Sequence, residues 1–405
     1  MPYVDVHLGS DHATFFYLTN SGTGYASGID PSKPTILFLH PDLLDTSWLG
    51  QQFGDPRLDE QFNLISFDRR NAGKTQSRFN PKLDSYTDAV DVAVLCLQLQ
   101  LPPVHVLTSG PYSGDVGGRF CMLFPELAKS LTMISPGAGR NPDGATSALA
   151  EMFHLWETAP DVQTLEFSLH QIVELICGTN VNPDLADDLI AYYETNYPPV
   201  RAARLGQIAD SVVNRLPLTK LELASITIPC LLIHGDNHSL WPKSKIDAMA
   251  ADMVRVPDGG ARVVTVKGGK GYMAIQPEFA SVINRVYTQF LDRLPRHDQN
   301  LRAPPSPLSR RLRQALDDLD SLTGATDARE DDVLNSMSFS RSSFKAQQAA
   351  AKMHRRFEEK QKTAYNPLTS NGRPRQRYSE RKFDHWFHVD ADGMSYARRV
   401  HESRS

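Results

Sequence analysis

The chain has 405 residues and a formal net charge of −4, and it is longer than one compact domain usually is. No run approaches the ~18 consecutive apolar residues of a transmembrane helix, and residues 1–10 lack the pattern of a secretory signal, so we expect no association with a membrane. Beyond residue 295 the chain becomes rich in Arg, Ser, Asp and Gln, with few aliphatic residues. We therefore expect a soluble, cytoplasmic protein with one domain over 1–294 and a low-complexity, mostly disordered tail over 295–405.

Apolar runs that end in turn residues predict a mainly parallel sheet. Two alternating stretches, 3–8 and 13–18, predict an opening antiparallel pair. Continuous apolar runs, typical of strands buried on both faces, follow at 35–39, 62–67, 104–107, 132–134, 230–233 and 263–266. Helical segments between them, such as 116–124 and the final amphipathic stretch 279–294, predict βαβ units. The predicted fold class is α/β, with a parallel sheet flanked by helices.

A long interval between the fourth and fifth parallel strands has helical periodicity. Its predicted helices are 147–158, 162–177, 183–196 and 199–215. An insertion after a central strand would lie above the strand ends, so we expect a helical cap over about 140–225 that covers a pocket. Its apolar side chains could line that pocket, although at this spacing they more often form the core of the helices: Met152, Phe153, Leu155, Trp156, Phe167, Leu169, Tyr192 and Tyr193.

The segment beyond residue 295 and the cysteines limit the expected partners. Residues 296–405 contain 21 Lys and Arg against 15 Asp and Glu, an excess more typical of a solvated segment than of nucleic-acid binding. Basic residues among aromatics at 373–387 keep single-stranded nucleic acid as an alternative. Two helical candidates, 306–322 and 344–362, lie in this segment. The four cysteines lie in apolar stretches without metal-ligand spacing, so we expect buried thiols in a reducing compartment, no metal and no cofactor.

Local patterns follow one another in a fixed order across about 260 residues: Ile36 to Pro41 with Trp48, Asp68 to Thr75, Leu123 to Leu127, Leu232 to Gly235, and Gln276 to Phe279. In this order they resemble signatures of the α/β-hydrolase superfamily. These signatures are the strand and loop of the oxyanion site, the Asp-x-Arg-Gly-x-Gly-x-Ser turn, the end of the helix after the nucleophile, and two late signatures that flank the acid and the histidine. The resemblance implies the fold, which does not by itself assign a function.

The chemistry of this superfamily needs a nucleophile on a tight turn, a histidine that takes its proton and an acid that orients the histidine. The resemblance places the nucleophile at Gly110 or Pro111, where no Gly-x-Ser-x-Gly occurs. It places the acid at His238 and the histidine at Lys270, and no histidine lies between His238 and His297. Departure from the pattern at all three positions favours loss of Ser-His-Asp hydrolysis.

A rearranged active site is the alternative. Ser113 or Asp115 would be the nucleophile, with Ser109 a further hydroxyl, His238 the base and Asp236 the orienting acid. Lys270 could act as a base only if burial lowers its pKa. For Asp115 and Asp236 there are also structural interpretations, a helix N-terminal carboxylate and a turn-forming side chain. The oxyanion site or ligand pocket is expected around His40, Pro41, Pro111 and Tyr112.

Two functions follow from these alternatives. The preferred one is a hydrolase-like protein without hydrolysis that binds a small apolar molecule in a capped pocket, or a partner protein through the C-terminal segment. The alternative is an active hydrolase or lyase that acts on an ester, epoxide or lactone. Arg69 and Arg70 could hold an acidic group of a ligand, although such arginines more often pair with carboxylates in a surface turn.

Overall fold

The computed structural model describes residues 2–9, 11–295, 307–324 and 332–374, and within them nine strands and thirteen α-helices. The strands are β1 (Tyr3–Leu8), β2 (Asp11–Thr19), β3 (Thr35–Leu39), β4 (Asn63–Phe67), β5 (Gln76–Ser77), β6 (Val104–Ser109), β7 (Ala128–Ile134), β8 (Cys230–Gly235) and β9 (Arg262–Val266). The helices are α1 (Gly50–Phe53), α2 (Pro56–Asp59), α3 (Ser85–Gln98), α4 (Pro111–Leu123), α5 (Asp143–Thr158), α6 (Val162–Cys177), α7 (Pro183–Asn196), α8 (Ala202–Val213), α9 (Lys220–Ser225), α10 (Lys243–Asp252), α11 (Pro277–Leu291), α12 (Leu308–Thr323) and α13 (Phe344–Lys360).

The strands form one mixed sheet in the order β1-β2-β4-β3-β6-β7-β8-β9, and β5 pairs with β2. From β4 to β9 all neighbours are parallel, whereas β1, β2 and β5 are joined by antiparallel pairing. The predicted fold class, an α/β protein with a mainly parallel sheet, is confirmed. The parallel strands all run in the same direction. We call the side of the sheet where they begin the amino edge and the side where they end the carboxyl edge.

The parallel strands are buried on both faces, which explains their continuous apolar sequences. Leu37 and Leu39 of β3 belong to one buried cluster, which includes residues of α3 and α4. Ile36 and Phe38 of the same strand belong to a second cluster, which includes residues of α11. Successive side chains of a strand point to opposite faces, so a sheet covered by helices on both sides needs apolar residues at every position.

The chain divides into two compact units. Unit 1 is Met1–Asn141 with Asn214–Gln348, and unit 2 is Pro142–Val213 with Ala349–Ser405. Unit 1 contains the sheet. Unit 2 contains α5 to α8, which form the predicted helical insertion between β7 and β8, and most of α13.

Aromatic side chains of the insertion pack on each other inside unit 2. Trp156 is fully buried and contacts the rings of Phe153, Tyr193 and Tyr197. Its indole N–H donates to the carbonyl oxygen of Tyr197 at 2.9 Å. These residues therefore form the core of the unit, the alternative that helical spacing favours over pocket lining.

The described parts of the segment beyond residue 295 are folded to a greater extent than its composition predicts. Helix α12 places Leu312, Leu316 and Leu319 in the buried cluster of unit 1. Phe339 is fully buried, and the Asp84 carboxylate, which caps α3, accepts hydrogen bonds from the Ser340 hydroxyl and the next backbone N–H. Average composition conceals such an amphipathic stripe, because the exposed faces of the same helix carry the charges.

Several sequence interpretations are limited by which residues the structure describes. The described ranges leave out residues 296–306, 325–331 and 375–405. The last of these contains most of the basic and aromatic stretch considered for nucleic acid. Within the described residues, no helix is both long and apolar enough to span a bilayer. No group of three or more His, Cys, Asp or Glu side chains among the same residues is arranged to hold a metal ion. The four cysteines all lie within the described residues, where they are buried and form no disulfide: Cys96, Cys121, Cys177 and Cys230.

Candidate active site

The turn between β6 and α4 retains the shape of a nucleophile elbow but has a glycine at its apex. Gly110 lies between Ser109, the last residue of β6, and Pro111, the first of α4, with φ 101°. The superfamily holds its nucleophile on such a strained turn. Glycine adopts positive φ without the steric cost of a Cβ atom. The position that the resemblance assigns to the nucleophile is therefore at the elbow, without a side chain.

The direction in which a side chain at Gly110 would project identifies the centre of the candidate site. A Cβ atom there would lie 2.9 Å from Asp42 Oδ2 and 3.2 Å from Tyr272 Cε1. Asp42 follows β3, and Tyr272 follows β9 in the loop that also contains Lys270. Three loops from the carboxyl edge of the sheet thus meet at this point.

Asp42 occupies the N-terminus of α4. Its carboxylate is buried, with 2% of the residue exposed. One oxygen accepts the backbone N–H of Tyr112 at 2.8 Å, and the other accepts that of Ser113 at 2.8 Å. Free N–H groups and the helix dipole make this a favourable place for an anion. The protein therefore supplies its own anion at the helix end that lies beside the elbow.

The charge of Asp42 is balanced by Arg69. The guanidinium lies 3.3 Å from Asp42 Oδ1, and both side chains have low exposure. Burial raises the pKa of Asp42, while Arg69 and the two amide hydrogen bonds oppose that rise. The Arg69 guanidinium also lies 5.1 Å from the centroid of the Tyr112 ring. The Tyr112 hydroxyl in turn donates to Asp88 at 2.9 Å, and burial raises the pKa of Asp88 to about 7.

The residues predicted for the oxyanion site do come together, but their hydrogen-bonding groups are already used. Pro111 has no N–H, so the donor that the superfamily takes from the residue after the nucleophile is missing. The Tyr112 N–H donates to Asp42. His40 is buried, with Nδ1 2.9 Å from the Pro41 carbonyl oxygen and Nε2 accepting the Arg69 N–H at 3.2 Å. Burial lowers the pKa of His40 well below its usual value, so the ring is neutral.

The neighbouring Arg70 also pairs with carboxylates of the protein. Its guanidinium is 2.6 Å from Asp91 and 2.8 Å from Asp11. Both arginines of the turn after β4 therefore pair with carboxylates of unit 1, as the structural interpretation from the sequence expects. The carboxylates belong to other elements and Arg70 is buried, so the turn is not the surface turn of that interpretation.

Ser113 and Asp115, the alternative nucleophiles, lie inside α4 and make structural contacts. The Ser113 hydroxyl is fully buried and donates to the Ser109 carbonyl oxygen at 2.5 Å. Asp115 pairs with Arg215 at 2.6 Å and accepts the Leu218 N–H at 3.0 Å. Its carboxylate thus joins α4 to the chain that returns from the insertion, and both of its oxygens are used.

His238 and Asp236 lie in the loop after β8 but are oriented differently from a catalytic pair. Asp236 is exposed and accepts the Gly268 N–H at 2.6 Å. His238 Nδ1 accepts the Leu240 N–H at 3.3 Å, so it carries no hydrogen to donate to an acid. Burial, and then the neighbouring His234, lower the pKa of His238 to about 4.

A series of side-chain contacts leads from His238 through Trp241 and Arg215 to Asp115. The His238 ring packs at 5.3 Å against Trp241, and Arg215 lies 5.7 Å from the Trp241 centroid before it reaches Asp115. Lys270 is partly exposed in its loop. The structure thus gathers Gly110, His40, Pro41, Pro111 and Tyr112 around Asp42, and it places the other candidates in separate contacts.

Sequence reasoning did not identify Asp42 and Tyr272 as residues of this site. The signal for Asp42 is an acidic residue directly after His40-Pro41, in the loop that resembles an oxyanion site. No local signal indicates Tyr272, because its role depends on the approach of two loops that are distant in sequence.

Comparisons with known proteins support the architecture. No protein-family model matches the sequence, and no curated protein matches it. Solved structures do match. A thermophilic esterase from Thermogutta terrifontis superposes with a TM-score of 0.56 at 14% identity, over 72% of this chain and 98% of that one. An enol-lactonase from Burkholderia xenovorans superposes with a TM-score of 0.54 at 14% identity, over 72% of this chain and 100% of that one. A hydrolase from Pseudomonas aeruginosa superposes with a TM-score of 0.54 at 19% identity, over 71% of this chain and 98% of that one.

At these identities the likeness concerns the backbone architecture. The sheet order, the elbow at Gly110 and the helical insertion between β7 and β8 agree with it. The protein therefore has the α/β-hydrolase fold.

Proposed function

We propose that the protein is a non-hydrolytic form of this fold and that it acts by binding, either to a small apolar molecule or to a partner protein. The observation that carries the proposal is the buried Asp42 carboxylate, which accepts the amide hydrogens at the start of α4. Hydrolysis of an ester, or of a lactone, needs free donors at this place, because negative charge develops on the carbonyl oxygen.

Repulsion between Asp42 and a developing oxyanion would slow turnover strongly. Two like charges 4 Å apart repel by about 4 kcal/mol at an effective dielectric constant of about 20. Added to the activation free energy, that amount lowers the rate about a thousandfold. Loss of one oxyanion donor, as at Pro111, costs a further ~10²–10³ in the enzymes where it has been measured. Arg69 offsets part of the repulsion, but it does not supply the missing nucleophile at Gly110.

The contacts of the alternative residues also support the proposal. A nucleophile must be reachable by substrate and by a base. Ser113 has no exposed surface and is hydrogen bonded to the backbone, and Asp115 is neutralised by Arg215. His238, with a pKa of about 4, would be neutral at pH 7 but packs on Trp241 and not on either group. The names of the similar solved proteins describe active enzymes, and that activity is theirs.

The experiment separates hydrolysis from binding. The purified full chain is incubated with a fluorophosphonate probe and a panel of esters, epoxides and lactones, beside an active α/β-hydrolase as positive control. We expect neither labelling nor turnover. Turnover that disappears in Ser109→Ala, Ser113→Ala, Asp115→Asn or His238→Ala would show that the active centre has moved and would refute the proposal.

Binding is then measured directly. A thermal-shift screen with small apolar compounds detects any ligand that prefers the folded state, since such a ligand raises the melting temperature by mass action. A compound that gives a saturable shift would assign the small-molecule form of the proposal. If no compound shifts the melting temperature, the small-molecule form is rejected and the partner-protein form is left.

A further inference from the structure

A second concave site lies in unit 1 at the amino edge of the sheet, on the side opposite Asp42. It has a volume of about 320 Å³. Its walls come from the starts of β4, β6 and β7 and from the end of α11. Phe62, Leu291 and Leu294 provide apolar surface, while His105 and Lys129 provide groups that can be cationic. A volume near 300 Å³ is at the lower end of the range for small-molecule sites.

A β-bulge places Lys129 in this cavity. Val104 of β6 pairs with Ala128 of β7, and the next residue, His105, pairs with Ser130. Lys129 is therefore the extra residue of β7, and it is the one side chain of that strand that is not buried. Bulges change the direction of a side chain and are over-represented beside functional sites. Without the bulge, Lys129 would have a pairing partner on β6 and would not be displaced from the regular register.

Within the described part of the chain, Lys129 forms no ion pair. Among the described residues, no carboxylate lies within 4.0 Å of its ammonium group. Burial alone lowers the pKa of Lys129, and no charged neighbour contributes. Asp292 also lines the cavity, but it is exposed, so water screens its charge. A partly buried cation without a partner is costly, and a bound anion would compensate it.

The neighbouring histidine is held in place beside this lysine. His105 Nδ1 lies 2.9 Å from Ser130 Oγ, and both residues are buried. The hydrogen bond fixes the ring at the wall of the cavity. The site therefore combines a fixed polar wall, a cation and an apolar wall.

We propose that the amino-edge cavity binds a small organic carboxylate with a compact apolar body, whose carboxylate pairs with Lys129 and whose apolar part packs on Phe62 and Leu294. This site does not depend on the proposed function, because it shares no residue with the surroundings of Asp42. A hydrolytic activity, if found, would leave it unaffected.

The test is a titration of the full chain with benzoate, monitored by saturation-transfer NMR on the ligand and by calorimetry. We expect saturable binding to the wild type, and at least tenfold weaker binding to Lys129→Met, which keeps the apolar stem and removes the charge. Lys129→Arg keeps the charge and should stay within a few-fold of wild type. Lys33→Met, which removes a nearby lysine that does not line the cavity, is the matched control and should leave binding unchanged.

Two further arms locate the site and its chemistry. Leu294→Trp fills the cavity without changing charge and should also weaken benzoate binding, while circular dichroism confirms that each variant is folded. Benzamide, which lacks the charge, and inorganic phosphate, which lacks the apolar body, should both bind at least tenfold more weakly than benzoate. Equal binding to wild type and Lys129→Met, equal binding of phosphate and benzoate, or no saturable binding would each overturn the proposal.

Discussion

Replacement of Asp42 by alanine removes the acceptor for two amide hydrogen bonds at the start of α4 and the partner of Arg69. Hydrogen bonds to a charged group contribute about 1.5–3 kcal/mol each, and breaking a buried ion pair costs about 3–5 kcal/mol. These contributions overlap, because the same carboxylate makes all the contacts. We therefore expect Asp42→Ala to lower the free energy of unfolding by about 3–5 kcal/mol. Asp42→Asn, which keeps an acceptor oxygen, should lower the free energy of unfolding by about 1–3 kcal/mol.

Urea unfolding followed by circular dichroism measures this change, provided that the slope with denaturant is the same in each variant. Asp236→Ala is the matched control. It removes another aspartate that accepts a backbone N–H at a strand end, but from an exposed position. We expect the control to lose about 1 kcal/mol or less.

The reasoning about the filled helix terminus would be wrong if Asp42→Ala were as stable as Asp236→Ala. That result would mean that water satisfies the α4 amides as well as the carboxylate does. The site could then accept an external anion, and the argument against hydrolysis would lose its main support.

Three further variants test the elbow, the C-terminal segment and a buried acid. Gly110→Ala should destabilise the fold by about 1–3 kcal/mol, because φ is 101° and the new Cβ would lie 2.9 Å from an Asp42 oxygen. Phe339→Ala should cost about 3–5 kcal/mol, because the ring is fully buried. Burial raises the pKa of Glu157 in unit 2 to about 8, against the opposing effect of Lys360 and then Arg356. Its stabilising contribution is complete below pH 4.5 and is lost as pH rises through 8, so Glu157→Gln should flatten the fall in stability between these values.

Each of these variants has a control that changes one factor. Gly139→Ala also has positive φ but no atom within 4 Å of the added Cβ, so it reports the backbone strain alone. Phe344→Ala removes a ring that is 74% exposed and should change stability by less than about 0.5 kcal/mol. Glu151→Gln removes an exposed carboxylate from the same helix, α5, and should leave the pH profile unchanged. Urea unfolding measures all of them, the last pair from pH 4.5 to pH 9, and any variant that behaves as its control does contradicts its prediction.

If the protein is non-hydrolytic as proposed, the filled helix end would explain how this fold is kept without its usual chemistry. In an enzyme of this architecture, the start of the helix after the elbow must be ready to receive charge that appears only during the reaction. Here the ion pair of Asp42 with Arg69 satisfies the same amides permanently. The site is stabilised in its resting state, so the interaction that would favour a transition state is already used.

The amino-acid sequence by itself predicted most of the strands and the fold class, and the structure confirms both. The run 35–39 predicts a buried strand because a sheet covered on both faces requires apolar residues throughout, and the structure confirms it as β3. The order of the local signatures predicted the fold. The sequence placed the nucleophile position at Gly110 or Pro111 because the elbow and its flanking strand and helix are contiguous in the chain. The loss of the nucleophile stays a prediction.

Only the tertiary structure decided which polar groups meet. Asp42 and the Tyr112 N–H are 70 residues apart, and Asp115 and Arg215 are 100 residues apart. The same limit applied to α12, whose leucines have a core to pack on only when unit 1 is assembled. Local patterns report the preferences of neighbouring residues. Ion pairs and helix-end contacts depend on distances that exist only after the strands have taken their places in the sheet, which is why the residue that fills the site could be seen in the sequence but not interpreted there.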